Sequence, residues 1–231
     1  MRVIVFDTET TGLPKSYNIN QDTLNSWPHI VQFSYIIYDD ETTTIVEKDW
    51  VVKVPEEVLI SEDSVKIHGI TKEITVTKGF DLHVILNEFF DDIKDVNKLI
   101  GHNVAFDMNM IKVALLRNIY FNKNNLSANE IKECKRNLSY LTNYKNITCT
   151  LQDSINLCNI QAIDKFGRSY IKFPKLVELH QKLFETQPNN MHNSLNDVLV
   201  TLRCYFKMHY DTDLYITSET YKDTANRIHL F

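Results

Sequence analysis

Few cysteines and no long hydrophobic run are present in this sequence, and these absences exclude several classes of protein. The four cysteines are widely scattered, and no pair has the C-x2-C spacing of a zinc site or the pattern of a disulfide framework. The apolar start, residues 1–6, meets two acidic residues at once and is too short for a signal peptide or a membrane helix. We therefore expect an intracellular, cytoplasmic protein without membrane attachment, with the nucleus as an alternative.

An excess of positive charge is also absent. The net charge of −5 argues against a protein that coats nucleic acid through a large basic face. It leaves open an enzyme that acts at one strand end, where metal ions supply the positive charge. The length of 231 residues, with 43% hydrophobic and 24% charged residues, indicates one globular domain with an insertion or a tail.

The spacing of apolar residues predicts an α/β chain in which strands come first and helices alternate with strands afterwards. Strands are predicted at residues 3–6, 30–38, 45–54, 99–100 and 147–155, with the first three in an antiparallel meander. Helices are predicted at residues 80–93, 106–116, 131–141, 173–184 and 195–208. The helix at 131–141 follows a capping box, Ser127 to Glu130, and lies in a polar stretch, residues 118–146, which we predict to be an inserted helical excursion.

Asp7 and Glu9 lie where the first apolar strand is predicted to end. Residues i and i+2 of an extended chain point to the same side, so both carboxylates can face one cavity. Carboxylate oxygens are suitable ligands for hard ions such as Mg²⁺ and Mn²⁺. A D-x-E pair also occurs by chance at solvated strand ends, so this pair alone does not establish a metal site.

Two later segments add two acids and a histidine near predicted helix starts. Asp107 opens the helix after the fourth predicted strand, and Asp197 follows His192 by five residues in the first turn of a late helix. The helix dipole favours an acid in the first turn, so each aspartate also has a purely structural explanation. A lone histidine is, likewise, more often structural than catalytic.

The order of these three segments resembles the motifs of the DEDDh family, the DnaQ-like proofreading branch of the ribonuclease-H-like 3′→5′ exonucleases. The most specific block is nearly complete and reads Phe6-Asp7-Thr8-Glu9-Thr10-Thr11-Gly12-Leu13. Residues 67–71, Ile-His-Gly-Ile-Thr, also resemble a family segment. The resemblance spans roughly residues 2–210 and departs at residues 118–146. It implies a mixed five-stranded sheet flanked by helices, with an exonuclease domain at residues 1–210 and a C-terminal tail at 211–231.

The resemblance also assigns roles to individual residues. Four acids would bind metal and one histidine would be the general base, in the order Asp7, Glu9, Asp107, His192 and Asp197. It implies two Mg²⁺ or Mn²⁺ ions per active site, which can serve the attacking and the leaving oxygen of a phosphodiester. Further residues are expected to hold the terminal nucleotide or line the groove, namely Thr10, Thr11, Gly12, Leu13, His68, His102, Asn103 and Phe106. For Leu13 and Phe106, packing in the core is an equal alternative.

The predicted function is the hydrolysis of phosphodiester bonds at nucleic-acid 3′ ends, single-stranded or frayed, with release of nucleoside 5′-monophosphates. DNA is favoured, and RNA trimming or oligoribonucleotide degradation is the alternative, because few contacts to the 2′-OH distinguish the sugars. A catalytically silent binding scaffold would lack one of the five residues, and an acid-metal phosphatase would leave the two later motifs unexplained. The pathway, a polymerase or other protein partner, and the oligomeric state stay open.

Overall fold

The computed structural model describes residues 1–121 and 126–231. Within them, a mixed five-stranded sheet has the strand order β3-β2-β1-β4-β5. Its strands are β1 (Arg2–Thr10), β2 (Ile30–Asp39), β3 (Thr44–Val51), β4 (Lys98–Gly101) and β5 (Ile147–Cys149). Helices cover both faces of this sheet, so the predicted mixed five-stranded sheet with flanking helices is confirmed.

The central strand is β1. It pairs antiparallel with β2, which pairs antiparallel with β3, as the predicted meander requires. On its other side β1 pairs parallel with β4, and β4 pairs parallel with β5. Because parallel strands end at the same edge of a sheet, the C-terminal ends of β1, β4 and β5 lie together. The segments that follow these three strands therefore share one edge of the molecule.

The helices of the described residues come in four groups along the chain. Between β3 and β4 lie α1 (Glu62–His68), α2 (Lys72–Lys78) and α3 (Leu82–Asp92). Between β4 and β5 lie α4 (Val104–Tyr120) and α5 (Ala128–Asn143). After β5 come α6 (Thr150–Asp153), α7 (Ile155–Cys158), a hairpin of β6 (Gln161–Ile163) and β7 (Ser169–Ile171), and α8 (Leu176–Phe184). The last group is α9 (Ser194–Tyr210), α10 (Leu214–Thr217) and α11 (Glu219–Arg227). Short 3-10 helices lie at Gln21–Ser26 and Ile93–Asp95.

The sheet separates two apolar layers. Ile4 and Phe6 of β1 pack in the layer that holds α3, α4 and α5. Val3 and Val5 pack in the opposite layer, with α8, α9 and α11. Since successive residues of a strand point to opposite faces, the odd-numbered residues that follow on β1 face α9 and the even-numbered ones face α4. This alternation decides which helix each side chain of the acidic motif meets.

Four regions of the described residues differ from the sequence predictions. The strand predicted at residues 147–155 ends at Cys149, because fully buried Thr150 begins a short helix in which Ser154 N–H donates to its carbonyl. A short apolar run does not by itself distinguish a strand from a buried helix. The hairpin of β6 and β7 and the helices α1 and α2 were not predicted. Residues 211–231 form α10 and α11, and the side chains of Tyr221 and Leu230 are fully buried.

The predicted helix of the polar stretch is present as α5, with the capping box between Ser127 and Glu130 formed. Its buried Cys134 and Leu141 pack in the α4 layer. Residues 122–125 of the predicted insertion lie outside the described residues. The insertion at 118–146 and the division into residues 1–210 and 211–231 stay predictions. No helix in the described parts of the chain combines the length and the hydropathy needed to cross a bilayer.

Candidate active site

Asp7 and Glu9 lie inside β1, which does not end at Phe6 but continues to Thr10. The ladder with β2 continues over both acids, with Asp7 opposite Ser34 and Glu9 opposite Gln32. A strand that is hydrogen-bonded along this length holds both residues in extended backbone. Their side chains therefore share the face of the sheet that α9 covers.

The start of α9 brings a third acid and the histidine to this face. The side chain of Asn193 caps α9 and fixes its first turn, which carries Asp197. His192 precedes the cap with a left-handed backbone (φ 66°), and its N–H donates to Asp197 Oδ1 at 3.3 Å. One ligand atom each from Glu9, His192 and Asp197 lie within 4.8 Å of one another. His192, predicted as the base, thus also stands where it could be a ligand.

Asp107 reaches the site from the other layer. It lies in the first turns of α4, which begins at Val104 rather than at the predicted residue 106, and only 2% of it is exposed. Its Oδ1 accepts hydrogen bonds from the Thr8 backbone N–H at 3.0 Å and the Thr8 hydroxyl at 2.7 Å. The residue between Asp7 and Glu9 therefore holds the fourth acid in place.

A second set of hydrogen bonds ties α9 to β1 and involves residues that the sequence did not single out for this role. The hydroxyl of fully buried Ser194 donates to Asp7 O at 2.7 Å. The Ser194 N–H donates to Gln32 Oε1 at 3.2 Å, and Gln32 Nε2 donates to Asp49 Oδ1 at 2.8 Å. The first two contacts join residues 187 and 162 positions apart. No local pattern marks such residues, because serine and glutamine are common on strands and helix ends.

Asp107 is buried and the other three acids are half-buried beside one another, and the pKa values of all four rise as a result. Burial raises the pKa of Asp7 to about 7. Burial and the charges of Asp7, Asp197 and Asp107 raise the pKa of Glu9 to about 9. The pKa values of Asp107 and Asp197 are raised well above their ordinary range by burial and by Asp7.

No lysine or arginine of the described residues forms an ion pair with any of these four acids. Neighbouring carboxylates without a cationic partner are unfavourable in the ionised state unless another positive charge is bound. Carboxylate oxygens, with one imidazole beside them, form a donor set that suits a divalent metal ion. The residues present therefore fit the metal binding predicted from the sequence.

An open cavity of about 940 Å³ adjoins Glu9. Its lining includes six of the eight predicted substrate-binding residues, namely Thr10, Thr11, Gly12, Leu13, His68 and Phe106. Leu13 is 81% exposed, which excludes the alternative that it packs in the core, whereas Phe106 both lines the cavity and packs in the α4 layer. Exposed Leu59 and Ile67 also line it. We did not predict these two, because an apolar side chain in a mixed segment gives no sign that it is exposed.

Two of the predicted substrate-binding histidines are bonded to the protein itself. His68 ends α1, where its Nε2 lies 3.2 Å from Thr10 O and its Nδ1 accepts the Ile70 N–H at 3.0 Å. It therefore joins α1 to the end of β1 at the cavity wall.

His102 follows β4, and its two ring nitrogens lie 3.0 Å from Thr150 Oγ1 and 3.0 Å from Pro174 O. Burial lowers the pKa of His102 to about 4, so the ring is neutral. His102 and its neighbour Asn103 are not part of the cavity lining. The predicted substrate contacts of both residues stay predictions, and His102 has no ring nitrogen free to make one.

The exonuclease family (RNase T) matches residues 4–205 of the sequence, and the chain therefore belongs to this family. The family membership predicted from the three motifs is confirmed. No curated protein matches the sequence.

Among solved structures, the fold is similar to Escherichia coli exonuclease I in complex with a dT13 oligonucleotide, with a TM-score of 0.61 and 16% identity over 92% of this chain and 41% of that one. It is also similar to exonuclease I from Methylocaldum szegediense, with a TM-score of 0.61 and 15% identity over 93% of this chain and 42% of that one. The chain thus spans about two fifths of the length of the exonuclease I chains that it matches. At this identity the likeness concerns the fold.

Proposed function

We propose that this chain is a DEDDh-type 3′→5′ exonuclease that hydrolyses nucleic acid from its 3′ end and releases nucleoside 5′-monophosphates. One observation carries the proposal: Glu9, His192 and Asp197 meet within 4.8 Å, while Asp7 and Asp107 are joined to them through β1 and Thr8. This set of residues is what phosphodiester hydrolysis with bound metal requires. Membership of the exonuclease family supports the same reaction.

The proposed metal ions are two Mg²⁺ or Mn²⁺ ions. Asp7 would contact both, Glu9 and Asp197 would hold one, and Asp107 would support the other. When bound, the ions supply charge neutralisation and an activated water for an in-line displacement. The high pKa values of the acids support this assignment, because a nearby dication would stabilise their ionised forms.

The residues of the chain would orient the reaction. His192 is exposed beside Glu9 and Asp197, so its imidazole can accept a proton from the attacking water. The hydrogen bond from its backbone N–H to Asp197 fixes the loop that carries it. The cavity beside Glu9 would take the terminal nucleotide, with exposed Leu13 against a base and the backbone at Gly12 near the sugar-phosphate chain.

The proposed substrate is single-stranded DNA, with RNA as the alternative. Solved exonuclease I structures contain dT13 and dA16 oligonucleotides, and the fold likeness to them favours DNA. The single strand also fits the open cavity, since a terminal nucleotide must leave its duplex to lie beside half-buried Glu9.

The test is a cleavage assay with 5′-labelled single-stranded and duplex DNA and RNA, in Mg²⁺, Mn²⁺ or EDTA. We expect ladders that shorten from the 3′ end, nucleoside 5′-monophosphate products, and no cleavage in EDTA. Asp7→Ala and Asp197→Ala should lower kcat by about a thousandfold or more, because the metal supplies several kcal/mol of transition-state stabilisation. His192→Ala should lower kcat by about 10²–10⁴-fold. The exposed Asp223→Ala is the matched control, and wild-type cleavage by Asp7→Ala would refute the proposal.

A further inference from the structure

The hairpin of β6 and β7 leaves an unusual number of large apolar side chains in solvent. Both strands are exposed along most of their length, and every residue of β7 is exposed. Ile163 is 74% exposed and Phe166, in the turn, is 71% exposed. Further exposed members are Tyr170, Ile171 and Phe173. Several large apolar side chains exposed within one short hairpin indicate a site of interaction, and an isolated two-stranded hairpin gains little stability from leaving them uncovered.

Positive charge is interleaved with these apolar groups. Residues 160–175 contain four basic residues and a single acid, in a chain whose net charge is −5. The Lys165 ammonium and the Arg168 guanidinium lie 5.1 Å and 5.3 Å from the centre of the Phe166 ring. Arg168 pairs with Asp164 through Nε, yet its side chain is 75% exposed. An exposed ring with two cations close to it is suited to a base and the phosphates beside it.

The turn that carries this ring is ordered by its own hydrogen bonds. Asp164 Oδ1 accepts the backbone N–H groups of Phe166 and Arg168 at 2.8 and 2.9 Å. Gly167 supplies the left-handed residue that the turn needs, with φ 81°. The backbone that carries Phe166 and the cations beside it is therefore held in one conformation, which lowers the entropic cost of binding.

The hairpin is attached beside the proposed active site. Its last strand leads to Pro174, whose carbonyl lies 3.0 Å from His102 Nε2. His102 directly follows β4, the strand that pairs parallel with β1, and the edge at which these strands end carries Asp7 and Glu9. If the 3′ end of a nucleic-acid strand lies at these acids, the base of the hairpin lies at the same edge of the sheet, on the side of β4.

We propose that the β6–β7 hairpin binds the substrate strand upstream of its 3′ end, with bases stacked on Phe166 and Tyr170 and phosphates paired with Lys165 and Arg168. This inference rests on the proposed nuclease function and extends it to a second contact surface. Charge decides between occupants, because a polyanionic strand complements the cations beside the ring, whereas a purely apolar partner would add no negative charge to the one that Asp164 already provides to Arg168. The hairpin lengthens the site and favours long strands over short ones.

The experiment measures binding and cleavage of 5′-fluorescent strands of two lengths. The short strand has about 4 nucleotides, the smallest typical site size for single strands, and the long one has about 20, more than a typical site holds. The variants are Phe166→Ala with Tyr170→Ala, and Lys165→Ser with Arg168→Ser. All four side chains are exposed, so circular dichroism melts should match the wild type. The controls are Ile216→Ala and Lys222→Ser, an exposed apolar and an exposed basic residue of the last two helices.

We expect the aromatic variant to raise the Kd and KM of the long strand about tenfold and to leave kcat and the values of the short strand unchanged. The basic variant should lower the slope of log Kd against log salt by about 1.4, the loss of two phosphate contacts on a single strand. Unchanged binding of the long strand, or an equal loss for both lengths, would overturn the hairpin surface. Binding is measured by the fluorescence anisotropy of the labelled strand, which does not require cleavage. Wild-type protein that binds the long strand through the hairpin but cleaves no substrate would therefore refute the proposed function and not the hairpin surface.

Discussion

Glu9 lies among three other acids with no cationic side chain of the described residues paired to it, and this decides how the protein responds to pH. The pKa of Glu9 is raised to about 9 and that of Asp7 to about 7, so both bind protons in the folded state that the unfolded chain has already released. Stability falls with rising pH wherever the unfolded state binds fewer protons. The metal-free protein should therefore lose stability between about pH 4 and about pH 9.

This residue-scale prediction is tested by thermal melts at several pH values, in EDTA and in Mg²⁺ or Mn²⁺. In EDTA, Tm should fall from pH 5 to pH 9, because the acids must ionise without a counter-charge. Metal should raise Tm at pH 8 and have little effect at pH 5, where protons compete for the same oxygens. Asp7→Asn should reduce both effects, and the exposed Asp223→Asn should leave them unchanged. A Tm that rises with pH in EDTA would contradict the assignment.

At the scale of elements, the join between α9 and β1 sets the geometry of the site. Ser194 connects the first turn of α9 to the Asp7 carbonyl, while its backbone N–H is bonded to Gln32. Both partners lie on strands of the sheet, and α9 carries Asp197. Loss of the serine hydroxyl would leave α9 bonded to Gln32 through the Ser194 N–H but would remove its hydrogen bond to β1, so α9 would be less well aligned with that strand.

Ser194→Ala should therefore lower kcat by about tenfold, leave KM within about twofold, and destabilise the protein by about 1 kcal/mol. Steady-state kinetics and urea unfolding measure the two effects. Ser218→Ala is the matched control, since this buried serine caps α11 through the Tyr221 N–H and interacts with the side chain of Tyr38. It should cost a similar stability and leave kcat unchanged. Equal kcat losses in both variants would indicate a general effect on the fold.

The sequence predicted best the elements in which apolar residues recur at a regular spacing. The three-strand meander and the helices α3, α4, α5 and α9 follow from such periods, and the capping box at Ser127 marks the start of α5. The hairpin was missed because its strands have three residues each and face solvent on both sides. The helix α11 was missed because nearly all of its nine residues are polar and few are buried.

The acids of the site were predicted by their order along the chain, but their supports were not. Thr8, Gln32 and Ser194 act through contacts that join distant segments, and a single sequence contains no record of such contacts. Asp7 and Glu9 were expected at a strand end and lie inside the strand, because polar threonines between and after them do not stop the ladder with β2.

At the scale of the whole molecule, residues 211–231 pack against the folded core through their buried side chains. The OH of fully buried Tyr221 donates to Leu199 O at 2.8 Å, so α11 is bound to the middle of α9. Arg203 of α9 forms a paired contact with Asp213, at 2.7 and 2.8 Å, and its guanidinium lies 3.9 Å from the centre of the Phe184 ring. The segment predicted as a polar tail therefore closes the layer beneath the site.

Tyr221→Ala should destabilise the protein by about 3–5 kcal/mol, because it leaves a large cavity and removes the hydrogen bond to Leu199 O. Urea unfolding followed by circular dichroism measures this loss. The neighbouring exposed Lys222→Ala should change stability by no more than about 0.5 kcal/mol. A loss below about 1 kcal/mol in Tyr221→Ala would show that residues 211–231 fold independently of the sheet.

The central position of β1 in the sheet determines which part of the site unfolds first. Backbone amides of a central strand exchange with solvent only when the whole domain opens, whereas exposed loops open with a small cost in free energy. Asp7 and Glu9 are on that strand, while His192 is on an exposed loop before α9. Local opening therefore moves the histidine first and leaves Asp7 and Glu9 in place, so we expect turnover to be lost before these two proposed metal ligands are displaced.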